Sequence, residues 1–461
     1  MENLSSKYPT LTQDTIISVL PNKDISISQL SKDTHFKLTY DGWVVLKQCQ
    51  GSKNILQLFG ELNKDYEIEL QGLTNFLIDA ERRGYISFNN ISGKHTINIK
   101  GDGKTFFPNA VSILLTNKCN LRCEYCYGDY SSIKNEYFPI DNVPEFFDIL
   151  EKNGITAIEL SGGEPLLHPH FNEILKLACN KKWHINILSN GVLFNDEIFR
   201  TIKDNKKWIC LQISIDGSNE IINEKVRNVK KTFSNTLHTI HRLQEMDCRI
   251  KVVIVLTPNN KDDLRNTCEL MRKVGIKNFS ISIADSIGRG ATLNNPDGSA
   301  FNNMHSMYYC ELAEMVIKVN EEYRDIIYGV DKFKKKFAGD LHKLGNCGAG
   351  WRIVTILPNG DVKGCQLLPT EVARLGNVFT DDFLEIFNGR EKNKFYQTFF
   401  KTEDEILCQG CEYIHYCAKC CTKVYLANKK RLSEGKGYCD FAKKIKMNET
   451  LNFKTNVSYT I

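Results

Sequence analysis

The chain of 461 residues is too long for one hydrophobic core; at roughly 100 to 200 residues per domain it predicts two to four domains. A composition of 42% hydrophobic and 25% charged residues is that of a globular protein, and a net charge of +5 on this length excludes a strong electrostatic pull toward nucleic acid or anionic lipid. Met1 to Thr15 lacks an apolar core, which excludes a signal peptide, and runs such as Ile250 to Leu256 are too short to span a bilayer, so a cytoplasmic protein without membrane or nucleic-acid partners is expected.

The first predicted module is Ser28 to Ile99. His35 to Tyr40 reads as a half-buried strand with Phe36, Leu38 and Tyr40 on one side. Ile55, Leu56, Phe59 and Leu62 fit one helix; Leu70, Leu73, Phe76, Leu77 and Ala80 fit a second, which Gly84 stops. Tyr85 to Phe88 and Thr96 to Ile99 read as a closing hairpin around Gly93. This order is that of a small winged helix. A DNA-binding role is disfavoured, because Asp79 and Glu81 stand beside Arg82 and Arg83 and leave no basic face.

Gly101 to Pro108 reads as a linker. Beyond it, apolar strands alternate with helical patterns: Val111 to Thr116, Ala157 to Ser161, His184 to Ser189, Trp208 to Ile215, Lys251 to Leu256 and Asn278 to Ala284, with helices such as Val143 to Leu150 and Phe233 to Leu243 between them. Successive βα units predict a parallel sheet, open or curled into a partial barrel, with chemistry at the C-terminal strand ends. Gly162-Gly163-Glu164-Pro165, Ser189-Asn190-Gly191 and Asp216-Gly217 fall at such ends. Phe301 to Leu344 reads as a helical bridge, Cys347 to Cys439 as a segment with little regular periodicity, and Lys443 to Ile461 as a tail that carries no signal.

Seventeen cysteines are unevenly distributed: three in Cys119 to Cys126, eight from Cys347 onward, and six scattered ones (Cys49, Cys179, Cys210, Cys248, Cys268, Cys310) expected to be buried small hydrophobes. In a reducing compartment such clusters point to metal or catalytic sites rather than disulfides. Cys119-x3-Cys123-x2-Cys126 follows the first barrel strand. Three cysteinates can hold three irons of a cubane and leave the fourth open, whereas structural zinc calls for four protein ligands. No fourth Cys or His follows Cys126 in the loop, which leaves a zinc-bearing winged-helix regulator as a remote alternative.

With Tyr125 before its last cysteine, this loop resembles the signature of the radical S-adenosylmethionine (SAM) enzymes. The resemblance implies that Cys119, Cys123 and Cys126 hold a 4Fe-4S cluster whose open iron takes SAM. It further implies that Gly162, Gly163 and Glu164 hold the methionine amino group, that Ser189 and Asn190 contact the ribose, and that Arg227 pairs with the SAM carboxylate; a surface salt bridge is the alternative for Arg227. Cys347-x12-Gly360-x4-Cys365 and Cys408-x2-Cys411-x5-Cys417-x3-Cys421, with Cys439, resemble the SPASM extension, which carries two auxiliary 4Fe-4S clusters. By that resemblance Cys408, Cys411, Cys417 and Cys439 hold one cluster, and Cys347, Cys365 and Cys421 part of the other. Asp340, His342, Cys420 or an open iron completes the second, and Cys420 also competes with Cys421 as a ligand. Tyr40 to Phe88 resembles the leader-peptide recognition domain of peptide-modifying enzymes, in which an extended peptide adds a strand to the module's edge.

The combination resembles the sactipeptide maturases. It implies an α/β fold: a partial (β/α)6 TIM-type barrel, with an N-terminal winged-helix leader-recognition domain and a C-terminal loop-rich twin-cluster SPASM domain. The expected domains are 1–100 for leader recognition, 101–300 for the barrel, 301–345 for the bridge, 346–445 for SPASM and 446–461 for the tail. The implied activity is an oxidoreductase that joins a cysteine sulfur to an α-carbon within a ribosomally synthesised precursor peptide, using SAM, three 4Fe-4S clusters and an external electron donor such as flavodoxin or ferredoxin. Thioethers to β or γ carbons and carbon-carbon links are the alternatives, and no side chain is assigned as acid or base.

Overall fold

The computed structural model describes residues 4–20, 24–29, 34–101, 103–104, 107–295, 298, 307–327, 348–350, 352–399, 421–422 and 425. The chain divides into two compact units. The first is Met1–Asn109 together with Glu145–Ala157 and Lys181–His184; the second takes in the rest.

The first unit contains β1 (Tyr8–Leu11), β2 (Thr15–Leu20), β3 (Asp24–Gln29), β4 (Thr34–Leu38), α1 (Tyr40–Leu46), α2 (Ile55–Leu62), α3 (Leu70–Arg82), β5 (Ile86–Asn89) and β6 (Asn98–Lys100). One sheet has the order β4-β3-β2-β6, with β3 antiparallel to β2 (Ile17 opposite Ile27) and to β4 (Ile25 opposite Leu38). Ile17, Ile25, Ile27, Leu58, Leu73 and Leu77 bury themselves in its core, each contributing roughly 1.5 to 3 kcal/mol by leaving water. Asn54 and Gln57 close a capping box on α2, and Gly84 at φ +82 ends α3.

Several expectations for this unit need correction. Tyr85 to Ile99 is not a hairpin: β5 pairs antiparallel with β1, and β6 pairs parallel with β2. Local turn signals could not reveal this, because both partners lie in the N-terminal strands before the expected module. The first strand ends at Leu38, Tyr40 opens α1, and Phe36 and Tyr40 are 46% and 39% exposed rather than half-buried partners of Leu38. In α2 the buried stripe is Ile55, Leu58 and Leu62, leaving Leu56 exposed. The unit also extends past residue 100. Phe107, within the expected linker, is buried, and a side chain at Gly154 would collide with Lys100 and crowd Phe107.

From Ala110 onward the order is β7 (Ala110–Leu114), α4 (Val143–Lys152), β8 (Ala157–Ser161), α5 (Phe171–Asn180), β9 (His184–Ser189), α6 (Asp196–Asp204), β10 (Ile209–Ser214), α7 (Glu220–Arg227), α8 (Thr232–Glu245), β11 (Arg249–Leu256), α9 (Leu264–Val274), β12 (Phe279–Ile283), α10 (Met307–Glu322), β13 (Ile353–Ile356), β14 (Asp361–Lys363), β15 (Arg374–Asn377), α11 (Phe383–Asn388) and α12 (Arg390–Phe399). They build one nine-stranded sheet, β12-β11-β10-β9-β8-β7-β13-β14-β15, parallel from β9 to β12 and between β7 and β13. The six expected strands are present within one or two residues. The segment after Cys347 is more regular than expected, since β13 to β15 extend this sheet; strands of three or four residues are too short to show a period.

Along the strands the two faces differ. Ile158 and Leu160, Ile185 and Ile187, Leu211 and Ile213, and Val252 and Ile254 are buried, and α8 packs on β10 and β11. The alternate residues, Glu159, Asn186, Gln212 and Lys251, are part-exposed and polar. No helix among the described residues is long and apolar enough to cross a membrane.

Candidate cluster and cofactor site

The buried strand β7 delivers the chain to Thr116, whose carbonyl accepts the Gly163 N–H at 2.8 Å. The cysteine loop then leaves the strand end and is held at several points. Cys119 N–H donates to Ser131 O (3.1 Å), Cys126 N–H to Cys123 O (3.2 Å), and the N–H groups of Arg122 and Glu124 donate to Arg227 O (3.2 Å) and Val226 O (3.0 Å) at the end of α7. Cys119, Cys123 and Cys126 lie within one another's electrostatic reach. As free thiols, Cys119 and Cys123 are pushed up to about 12 by burial. A cation at the site would reverse that cost, because a metal-bound thiol is deprotonated. No three Cys, His, Asp or Glu side chains close on a single ion among the described residues; a cubane takes one thiolate on each of three separate irons. The donor set therefore fits an iron-sulfur cluster.

The glycine pair at the end of β8 is required by close approach. A Cβ on Gly162, at φ +140, would stand 2.3 Å from Thr116 O, and one on Gly163 would stand 2.2 Å from Lys118 O and 3.0 Å from Cys119 Cβ. Glu164 follows, fully buried. Its Oε1 accepts Ser189 Oγ (2.9 Å) and Leu166 N (3.2 Å), and its Oε2 accepts Asn190 N (2.8 Å). Burial pushes this carboxyl up to about 7 against the pull of those donors. Glu164 and Ser189 are thus brought together as a brace between two strand ends. Asn190 continues the brace, its Nδ2 donating to Asn120 Oδ1 (2.8 Å) inside the cysteine loop.

Arg227 is not a surface residue. Both it and Asp216 are wholly buried and pair at 2.9 Å, Nε to Oδ2. The same Oδ2 accepts the Tyr125 hydroxyl (2.8 Å), Oδ1 accepts Val255 N (3.1 Å), and Arg227 Nη1 donates to Asn190 O (3.3 Å). Burial and the Asp216 carboxylate raise the Tyr125 phenol well above its ordinary value, so it remains a donor. Arg227 Nη2 is buried without a hydrogen-bond partner among the described residues. A buried unpaired guanidinium donor beside the cysteine loop fits the carboxylate of a bound SAM.

Asp216, Tyr125 and Asn120 complete the arrangement, and sequence reasoning gave none of them a role in it, although Tyr125 was part of the loop's signature. Asp216 was legible only as a strand-end acid. Facing the same sheet side, Glu159 accepts Ser112 Oγ (2.7 Å) and Asn186 Nδ2 (3.3 Å). Burial raises Glu159 and lowers Lys251, and each lies in the other's field.

In the C-terminal region Cys365 Sγ lies 3.4 Å from Thr422 Oγ1, beside buried Cys421. Tyr127 OH donates to Gln366 Oε1 (3.3 Å), joining the cysteine loop to the residue after Cys365. Cys347, Cys408, Cys411, Cys417, Cys420, Cys439, Asp340 and His342 lie outside the described residues. Of the scattered cysteines, Cys49, Cys179 and Cys268 are buried as expected, whereas Cys210 is half-buried at a β10 position that alternates with the buried Ile209 and Leu211, and Cys248 is half-buried in the connection before β11; the side chain of Cys310 lies outside the described residues.

Residues 113–271 match the radical SAM superfamily, and residues 347–421 match the SPASM iron-sulfur cluster-binding domain. The chain is 28% identical over 425 residues to the antilisterial bacteriocin subtilosin biosynthesis protein AlbA of Bacillus subtilis, covering 91% of this chain and 90% of AlbA. It is 25% identical to an AdoMet-dependent heme synthase of Methanosarcina barkeri, over 72% of this chain and 96% of that protein. Its fold resembles that of Streptococcus suis SuiB, solved with S-adenosylmethionine (TM-score 0.65, 15% identity, 91% of this chain and 97% of SuiB) and with the precursor peptide SuiA (TM-score 0.62, 14% identity, 92% and 97%). The braced cysteine loop, the matched segments and the shared barrel agree, and the chain is a radical SAM enzyme that carries a SPASM iron-sulfur domain.

Proposed function

We propose that this enzyme installs sulfur-to-α-carbon thioether links within a ribosomally synthesised precursor peptide. The observation that carries this reading is its similarity to the subtilosin biosynthesis protein AlbA along 91% of the chain, which takes in far more than the shared barrel. SuiB, whose fold it resembles, has been solved with a precursor peptide.

In this reading Cys119, Cys123 and Cys126 hold the SAM-binding cluster, and Cys347, Cys365, Cys408, Cys411, Cys417, Cys421 and Cys439 hold two auxiliary clusters. Arg227 Nη2 meets the SAM carboxylate, with Gly162 and Gly163 giving the backbone room to approach. The cluster and SAM together supply one-electron chemistry able to remove a hydrogen atom from an unactivated carbon. The protein's part is position: Glu164 holds the ends of β8 and β9 together, and Asp216 fixes the angle of Arg227 and Tyr125. The polar inner residues Glu159, Asn186, Gln212 and Lys251 line the side on which a peptide meets the strands.

The first unit holds the leader. Its strand β4 lies at a sheet edge with Phe36 exposed, and an extended peptide gains backbone hydrogen bonds by pairing there. A nucleic-acid role has no support on α3, where Asp79 pairs with both Arg82 and Arg83. The enzyme works in the cytoplasm, receiving electrons from a flavodoxin or ferredoxin.

Anaerobic incubation with SAM, a reductant and a candidate precursor, sought as a small cysteine-containing reading frame beside this gene, tests the reading by mass spectrometry. A loss of two hydrogens per link, with fragmentation that places sulfur on an α-carbon, is expected. Links to a β or γ carbon or between two carbons would move the enzyme to a neighbouring chemistry, and an unmodified peptide would overturn the proposal.

A further inference from the structure

The turn after β12, Gly288-Arg289-Gly290, is seated on the cysteine loop. Arg289 N–H donates to Cys126 O (3.0 Å), its Nε to Cys123 O (2.8 Å) and its Nη1 to Tyr130 O (3.0 Å), and Nη1 also pairs with Asp129 (2.6 Å). Two of these acceptors are the carbonyls of ligand residues. The approach depends on the neighbouring glycines. Gly288 adopts φ +55, and a Cβ there would stand 2.4 Å from Cys126 O and 2.5 Å from Tyr127 O; a Cβ on Gly290 would stand 2.2 Å from Asp285 O. Asp129, which holds the far side of the guanidinium, is itself left-handed at φ +48, a conformation that a non-glycine residue keeps only when its surroundings hold it.

We propose that Arg289 is a positioning residue for the cluster at Cys119, Cys123 and Cys126. Three thiolates on one short loop repel one another, and the bound irons are the main charge that offsets that repulsion. A planar fork that binds Cys123 O and Tyr130 O at once, while its own backbone binds Cys126 O, keeps the loop in the form that receives the cluster. A lysine has one ammonium and cannot span both carbonyls in a fixed plane. The side chain is 16% exposed, so its charge is poorly screened. Reduction adds negative charge to the cluster, and Arg289 favours the reduced form because its Asp129 partner, 61% exposed, is screened more strongly than the guanidinium. The role rests on the assignment of these three cysteines as ligands.

The test uses the full-length, reconstituted enzyme and its Arg289→Gln and Arg289→Lys variants. The readouts are the SAM-responsive electron paramagnetic resonance signal of the reduced cluster, its midpoint potential, and the rate at which a ferrous chelator removes its iron. Arg289→Gln is expected to lose that iron on the order of tenfold faster and to show a more negative midpoint, with Arg289→Lys between it and the unmodified enzyme. The same signal, midpoint and release rate in Arg289→Gln would overturn the role. If Arg289→Gln lacks the native circular dichroism spectrum, Arg289→Lys decides, and behaviour identical to the unmodified enzyme there overturns it. Absence of any SAM-responsive signal from the unmodified enzyme would instead sink the ligand assignment, and the role of Arg289 with it.

Discussion

Arg227 and Asp216 meet 2.9 Å apart with neither side chain exposed, and around that pair the elements of the site converge. The carboxylate takes Tyr125 from the cysteine loop and the Val255 amide from β11, while the guanidinium reaches the Asn190 carbonyl after β9. Removing one partner leaves the other charge buried and alone, at a cost of about 3 to 5 kcal/mol. Arg227→Met is therefore expected to lower unfolding stability by about that amount, whereas Arg227→Met with Asp216→Leu recovers only part of it, because the Tyr125 hydroxyl and the Val255 amide lose their acceptor, and does not restore SAM affinity. Denaturant titration and SAM binding by calorimetry separate the two effects. A double variant that binds SAM normally would show that Arg227 serves stability only.

Cys119→Ala, Cys123→Ala and Cys126→Ala should each lower bound iron and sulfide by roughly four atoms per chain. Formation of 5'-deoxyadenosine should stop while precursor affinity is kept. Metal analysis, chromatography of the nucleoside and fluorescence anisotropy with a labelled precursor check the three parts.

Gly163→Ala places a methyl group 2.2 Å from Lys118 O, a backbone atom that cannot turn aside. A loss of about 1 to 3 kcal/mol of stability is expected, as for other overpacked sites, together with loss of the SAM-responsive cluster signal. Gly72→Ala, in α3 where a Cβ meets nothing within 4 Å, is the control and should leave the cluster signal unchanged while raising stability by up to about 1 kcal/mol.

His168 tests the acid limb of stability. Its Nδ1 accepts the His170 N–H at 3.1 Å, so the proton sits on Nε2, which donates to Phe138 O at 2.8 Å. Burial lowers its pKa below the ordinary 6.5. The unfolded chain therefore takes up a proton first as the pH falls, and this contribution to stability is present above about 6.5 and is lost on acidification through the lower folded value. His168→Gln should flatten the stability profile on that acid side, as read from denaturation midpoints across pH.

Phe36 stands 46% exposed on the edge strand β4, with its ring 6.4 Å from that of Tyr85. If the leader pairs with this edge, Phe36→Ala should weaken precursor binding by about tenfold, the scale of an aromatic anchor, without changing iron content. Equal affinity by anisotropy would remove β4 as the docking edge.

The sequence by itself determined what depends on neighbours along the chain. The x3 and x2 spacing of Cys119, Cys123 and Cys126 is local, and so is the strand signal of β7 to β12, because short β-branched and apolar runs bounded by turn residues are read from neighbours along the chain. Gly162 and Gly163 were visible as a pair, though not the collision with Thr116 O and Lys118 O that demands them. What only the tertiary structure decided is which distant groups meet. β5 and β6 pair with β1 and β2 rather than with each other, Glu164 braces Ser189 and Asn190 across 25 and 26 positions, and Arg289 reaches back 166 positions to the Cys123 carbonyl. No periodicity encodes such contacts. Arg227 is the plainest case: the sequence leaves it between a ligand for the SAM carboxylate and a surface salt bridge, and the fold removes the second reading by closing over it and pairing it with Asp216.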